Sequence, residues 1–235
     1  MAPTEHTSKQ FDVELDKVRA QVLQMGGLVE SQVRLAIEAL VSDDVPLMNR
    51  VINDDHRVNA MEVQIDESCN QIIVRRQPAA GDLRMVMTVV KSITDLERIG
   101  DEAAKIARMG KLLSQRKSLI LPRHTEVKQI SELALDMLRK SLDAFARLDL
   151  FYTAQVVRQD ELVDEEFRTI LRYLISYMME DPRTISTALE ILFIAKAIER
   201  IGDHAKNMSE YVVYMVKGKD VRHVNVEEIE FALNI

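Results

Sequence analysis

The sequence predicts an all-α protein made of two tandem three-helix bundles related by internal duplication. Three observations carry this: helical periodicity is nearly unbroken, helix breakers are scarce, and Glu-Arg-Ile-Gly-Asp occurs at 97–101 and again at 199–203. The 235 residues include only 7 Gly and 5 Pro, no Trp and 5% aromatics, against 47% hydrophobic residues. That composition suits long helices with a buried core and starves a β-sandwich or a parallel sheet.

The first helix is expected from about Lys9 to Val41, with Phe11, Leu15, Val18, Val22, Met25, Val29, Val33 and Ile37 three or four apart. Ser42 to Pro46 ends it; an Asp there can cap the next helix, and Pro46 fits its first turn. The second helix runs to about Gln77 through Val51, Val58, Met61, Ile65, Cys69 and Ile72. Pro78 is expected to open the third, which carries Leu83, Val86, Val90, Ile93, Glu97, Asp101 and Ala104 down one face.

Ser118 to Pro122 reads as the linker between bundles, since Pro122 cannot sit inside a helix. The fourth helix spans about His124 to Arg147 and the fifth about Asp149 to Met179. Asp181-Pro182 starts the sixth, which reaches about Val216. The expected units are residues 9–117, 123–217 and a tail, 218–235, that closes with a short helix.

The halves are copies. Ile37-Glu38-Ala39-Leu40 corresponds to Leu142-Asp143-Ala144-Phe145, and at the same offset Asp44, Val51, Asp55, Val58 and Asn59 meet Asp149, Val156, Asp160, Val163 and Asp164. A slightly shorter offset aligns the two pentapeptides, the change being absorbed near Pro78 and Pro182.

Several functions are excluded or disfavoured. A net charge of -7, from 38 acidic and 31 basic residues, offers no footprint for nucleic acid. One cysteine, Cys69, excludes an intrachain disulfide and a four-cysteine zinc site, and reads as a buried helical residue. No secretory signal or membrane-spanning run is visible, so a cytoplasmic location is expected. None of the five histidines follows a Glu at the spacing of a di-iron site, and no phosphate loop, dinucleotide fingerprint or Gly-x-Ser-x-Gly elbow appears. Met85, Met87, Met178 and Met179 read as core, and His204 as a hydrogen-bonded surface group.

The chemistry concentrates on the pentapeptides. Glu97 and Asp101 lie one turn apart on one side of the third helix; Glu199 and Asp203 repeat this on the sixth, where Asn207 extends the row. Asp55, Asn59, Glu62 and Asp66 on the second helix, and Asp160 and Asp164 on the fifth, have the spacing to face them. Both copies accept a helix-interior glycine, which costs about 1 kcal/mol against alanine; its missing Cβ admits another helix or a ligand. Clustered carboxylates suit hard cations: a divalent metal such as Mg²⁺, Mn²⁺ or Ca²⁺, or ferric iron. The plainer reading pairs these acids with basic neighbours such as Lys105, Arg98 and Arg200.

The chain also resembles the PhoU family of bacterial phosphate regulators. The resemblance rests on Met25-Gly26-Gly27-Leu28-Val29-Glu30, on Asp55 to Glu62 with Val58-Asn59-Ala60-Met61, on Arg76-Gln77-Pro78 with Asp82-Leu83-Arg84, and on both pentapeptides. It implies a non-enzymatic, cytoplasmic negative regulator of the phosphate-starvation response and phosphate uptake, peripherally associated with inner-membrane partners. Those partners are implied to be the ATPase subunit of a phosphate ABC importer and a membrane sensor histidine kinase, with the chain itself a homodimer. It further implies metal held by Glu97, Asp101, Glu199 and Asp203, joined by Asp55, Glu62, Asp66, Asp160, Asp164 and Asn207. Lys105 stands where the second copy has Asn207, so the two sites need not be equivalent. The alternative is a metal-dependent phosphate-ester hydrolase working through the carboxylate clusters.

Overall fold

A computed structural model describes residues 9–116, 124–222 and 224. Six α-helices account for nearly all of them: α1 (Lys9–Ser42), α2 (Val45–Arg76), α3 (Ala80–Gln115), α4 (His124–Arg147), α5 (Phe151–Glu180) and α6 (Ile185–Lys217), with a 3₁₀ turn, Pro182–Thr184, before α6. The linker expected over Ser118 to Pro122, and the short closing helix expected in the tail, lie outside the described residues.

Local chemistry sets the boundaries. Asp44 caps α2, its carboxylate accepting the Leu47 N–H at 2.9 Å, with Pro46 in the first turn. Gln77 ends α2 in the left-handed region, φ 49°. Pro78 does not open α3 as expected: it stays in the connection, and the helix begins at Ala80 behind an extended Ala79 without a side-chain cap. Asp181 accepts the Arg183 N–H at 3.0 Å, but Pro182 opens the 3₁₀ turn, and α6 starts only at Ile185. Gly218, φ 72°, closes α6 by donating to the Tyr214 carbonyl at 2.9 Å.

Within each repeat the three helices pack on one another, and α1 meets α4 while α3 meets α6. One hydrophobic core therefore runs through both repeats, with Met25, Met48, Ile93, Ile99, Met137, Phe145 and Ile201 all essentially inaccessible. Burying each such side chain contributes roughly 1.5–3 kcal/mol.

The α3 and α6 axes run antiparallel. Arg116 meets Glu190 at 2.9 Å towards one end, Arg200 meets Glu102 at 2.8 Å in the middle, and Thr88 reaches the Tyr211 carbonyl at 3.5 Å towards the other. The pair α1 and α4 is also antiparallel, with Arg139 on Glu30 at 2.7 Å and Arg19 on the Ala146 carbonyl at 3.4 Å. Gly26 permits that approach, for a Cβ there would lie 2.3 Å from Leu142 Cδ2. The two repeats are thus related by an internal twofold passing through both crossings.

Some surface assignments differ from expectation. Met85 and Met178 pack against the core, but Met87 and Met179 are exposed, as is Leu83 at the start of α3. Among the described residues no helix is long and apolar enough to cross a membrane.

Candidate functional site

Both pentapeptides sit at the α3–α6 crossing, where Ile99 and Ile201 are fully buried. The glycine beside each isoleucine meets equivalent neighbours. A Cβ on Gly100 would stand 3.3 Å from Gln32 Oε1, 3.3 Å from Val58 Cγ1 and 3.4 Å from Asp55 Oδ1. A Cβ on Gly202 would stand 3.5 Å from Met137 Sδ and 3.5 Å from Val163 Cγ1. Gln32 and Met137, like Val58 and Val163, are counterparts in the duplication. At Gly100 the missing Cβ leaves room for tightly placed side chains from α1 and α2, whereas at Gly202 a Cβ would meet its neighbours at ordinary contact distance.

The first cluster lies where α2 meets α3. Burial raises the Glu97 carboxyl above its ordinary value, helped by the negative charges of Asp101, Glu62 and Asp55 and opposed by Arg98. Four acids read as candidates thus share one field. Their hydrogen bonds are sparse: Gln32 donates to Asp55 at 2.9 Å, and Thr94 to Glu62 at 3.3 Å. Arg98 lies 3.6 Å from Glu97 and 3.9 Å from Asp101. Asp66 is not drawn in; it accepts from Asn70 at 3.2 Å and adds to the burial that pushes the Cys69 thiol up to about 12.

The second cluster lies where α5 meets α6. Burial first, then Glu199, Asp160 and Asp164, raise Asp203 to about 6, with Lys196 opposing. Here two ammonium groups intervene. Lys206 reaches Asp160 at 2.7 Å, and Lys196 is bonded to Glu199. The other Glu199 oxygen, Oε2, is buried without a hydrogen-bond partner. Asp164 pairs at the surface with Arg168 at 3.4 Å. Asn207 turns away from this group, donating across the crossing to Asp95 at 3.3 Å, beside His204 Nδ1 at 2.7 Å from the same carboxylate oxygen. His204 is therefore a half-buried member of the inter-repeat contact rather than a surface group.

The copies have diverged around a shared frame. Thr94 in the first becomes Lys196 in the second, and Glu62 becomes Phe167, over whose ring Lys196 lies at 5.4 Å. Gln32, Thr94, Asp95, Lys196 and Lys206 are among the participants that the sequence reading missed. The lysines stood three residues from Glu199 and Asp203, a spacing that brings side chains together on a helix. The donors are hard oxygens, but among the described residues no three His, Cys, Asp or Glu side chains are placed to hold one metal ion.

The fold and site define a class: an internally duplicated all-α protein whose third helices cross at twin acidic motifs. The PhoU domain matches residues 22–109 and again 127–212, one match per repeat. The chain belongs to the PhoU family. It is 48% identical to the phosphate-specific transport system accessory protein PhoU homolog of Pseudomonas putida over 96% of this chain and 88% of that one. The crystal structure of PhoU from Pseudomonas aeruginosa is similar with a TM-score of 0.85 and 47% identity, covering 89% of this chain and 100% of that chain. That of the phosphate transport system regulatory protein PhoU from Streptococcus pneumoniae gives 0.83 at 30% identity, covering 90% and 99%.

Proposed function

We propose that this chain is a cytoplasmic accessory regulator of phosphate-specific transport, restraining phosphate uptake and the phosphate-starvation response when phosphate is plentiful. In this reading it is a homodimeric adaptor, peripherally associated with the ATPase subunit of a phosphate ABC importer and with a membrane sensor histidine kinase. The observation that carries the reading is the family match in both repeats, with relatives named as phosphate-specific transport system accessory proteins over nearly the whole chain. The protein acts by binding, not catalysis.

The test is output of a phosphate-starvation reporter in a deletion strain grown in excess phosphate. Derepression is expected, and re-expression of the chain restores repression; tightly repressed output without the protein sinks the proposal.

A divalent metal or ferric iron is the proposed ligand of the acidic clusters. Glu97, Asp101, Asp55 and Glu62 would take it in the first repeat, and Glu199, Asp203, Asp160 and Asp164 in the second after side-chain rotation. Its chemistry there would be charge neutralisation. Metal content of protein purified without chelator should fall in Asp101→Ala/Asp203→Ala; equal content in both proteins rejects this.

A further inference from the structure

The two ends of the α3–α6 pair have diverged. Towards the end where α6 begins, Ile185, Leu189 and Phe193 follow at four-residue steps along one ridge and are 42%, 39% and 48% exposed. Leu112 on α3, 39% exposed, lies beside Phe193. Their counterparts under the duplication, Tyr214 and Lys91, are in contact, with the ammonium 5.4 Å from the ring centre. Four apolar side chains thus make one patch. At the opposite end Lys91 takes the place of Phe193 and sets its charge over Tyr211 and Tyr214. Among the described residues, this pair of helices therefore carries its unbroken apolar patch at one end alone.

The rim of the patch is positive. Arg116 pairs with Glu190, and Arg200 and Lys105 pair with Glu102. The cationic side chains are 33–47% exposed but the two carboxylates only 7–8%, so water meets the cations. An occupant of this patch needs apolar side chains and acids together. The sequence holds such a segment. Residues 225–235, outside the described residues, carry Val226, Ile229, Phe231, Leu233 and Ile235 beside Glu227, Glu228 and Glu230, with no basic residue.

Reach decides which copy's segment it is. Val221 is buried against Ala154, Val157 and Val213, with Val224 packed on the same cluster, and this roots the tail where α6 ends. Along α6, Val213 to Leu189 is roughly 36 Å. Residues 225–235 span about 16 Å as the short helix expected there, and fully stretched they are used up in about 37 Å. A chain's own segment therefore cannot lie along its own patch.

We propose that residues 225–235 of a second copy dock on this patch, each chain covering the patch of the other about a twofold axis. This deepens the reading of the protein as a homodimer and rests on it. Patch against patch is a poorer contact, since Arg116, Arg200 and Lys105 would face their own copies. A bilayer fits less well, because side chains that enter lipid project from the surface, whereas these four are each less than half exposed. The acidic clusters, centred on the crossing, take no part in the contact and keep their carboxylates for metal.

The test measures self-association of the full chain by energy transfer between donor- and acceptor-labelled copies, with mass from light scattering. A tail variant, Ile229→Ser/Phe231→Ser/Leu233→Ser, and a patch variant, Leu189→Ser/Phe193→Ser, should each raise the dimer dissociation constant at least about tenfold. Each should melt as wild type; if the patch variant does not, Leu112→Ser alone takes its place. Mixed, the two variants should pair at concentrations where neither pairs alone, because one brings a sound patch and the other a sound tail. Val63→Ser/Val74→Ser, at exposed positions on α2, should dimerise as wild type. A wild-type chain that stays monomeric rejects the homodimer reading and the proposal with it. Dimers that survive in both variants keep the homodimer and overturn the proposal. A loss in only one variant, or mixing that restores nothing, likewise overturns it.

Discussion

Gly100 and Gly202 occupy equivalent positions yet predict different responses to alanine. At Gly202 the new methyl meets Met137 and Val163 at ordinary contact distance, so the gain in helix propensity is kept. Gly202→Ala should stabilise the protein by roughly 0.5–1 kcal/mol in urea unfolding. At Gly100 the methyl is tight against Gln32 Oε1 and Val58 Cγ1, both at 3.3 Å, and Gln32, which donates to Asp55 at 2.9 Å, must shift by a few tenths of an ångström to admit it. Gly100→Ala should show no gain, and the two melting curves side by side check it. Glu210 gives a prediction in pH. Burial, aided by Asp160 and Asp220 against Lys206 and Arg222, raises it from 4.5 to about 7. The folded chain therefore holds a proton that the unfolded chain releases, and this group's contribution to stability declines as pH rises from about 4.5 to about 7. Glu210→Gln should stabilise the fold at pH 8 by on the order of 1–2 kcal/mol and change little near pH 4, as read from urea midpoints at both pH values. The acids of the site were legible from spacing because helical geometry fixes which side chains share a side. The direction of Asn207 was not, since spacing alone does not say which neighbouring helix a row meets.

At the scale of elements, helix ends were legible wherever a side chain supplies the missing hydrogen bond. Asp44 is such a case, and Asp44→Ala should cost about 1 kcal/mol, with the loss seen in thermal melts. Pro78 misled because a proline is compatible with a first turn but does not compel one, and Ala79 adopts an extended conformation instead. The α1–α4 contact was invisible to periodicity, which reports that a face is apolar without naming what covers it. Gly26 marks that contact. Gly26→Ala should cost about 1–3 kcal/mol, because Leu142 must leave a packed position between the repeats. The same substitution at Gly27, with nothing within 4 Å, should be stabilising or neutral, so the pair of variants isolates the packing effect.

At the scale of the molecule, the duplication was readable from paired residues, while the joining of two cores into one was not. Met25, Ile99, Met137 and Ile201 belong to a single buried cluster. Heat or urea should therefore unfold both repeats in one transition, with far-ultraviolet circular dichroism and a thiol probe at buried Cys69 giving coincident curves. Separate transitions would mean that the repeats fold independently despite their shared core. The fusion has one more consequence. Two separate subunits find each other only above their dissociation constant, whereas tethered halves meet at an effective concentration fixed by the tether. The twofold at the α3–α6 crossing is therefore present at any dilution. Its two sides can also change independently, as Thr94 against Lys196 shows, whereas in a homodimer every substitution arrives twice.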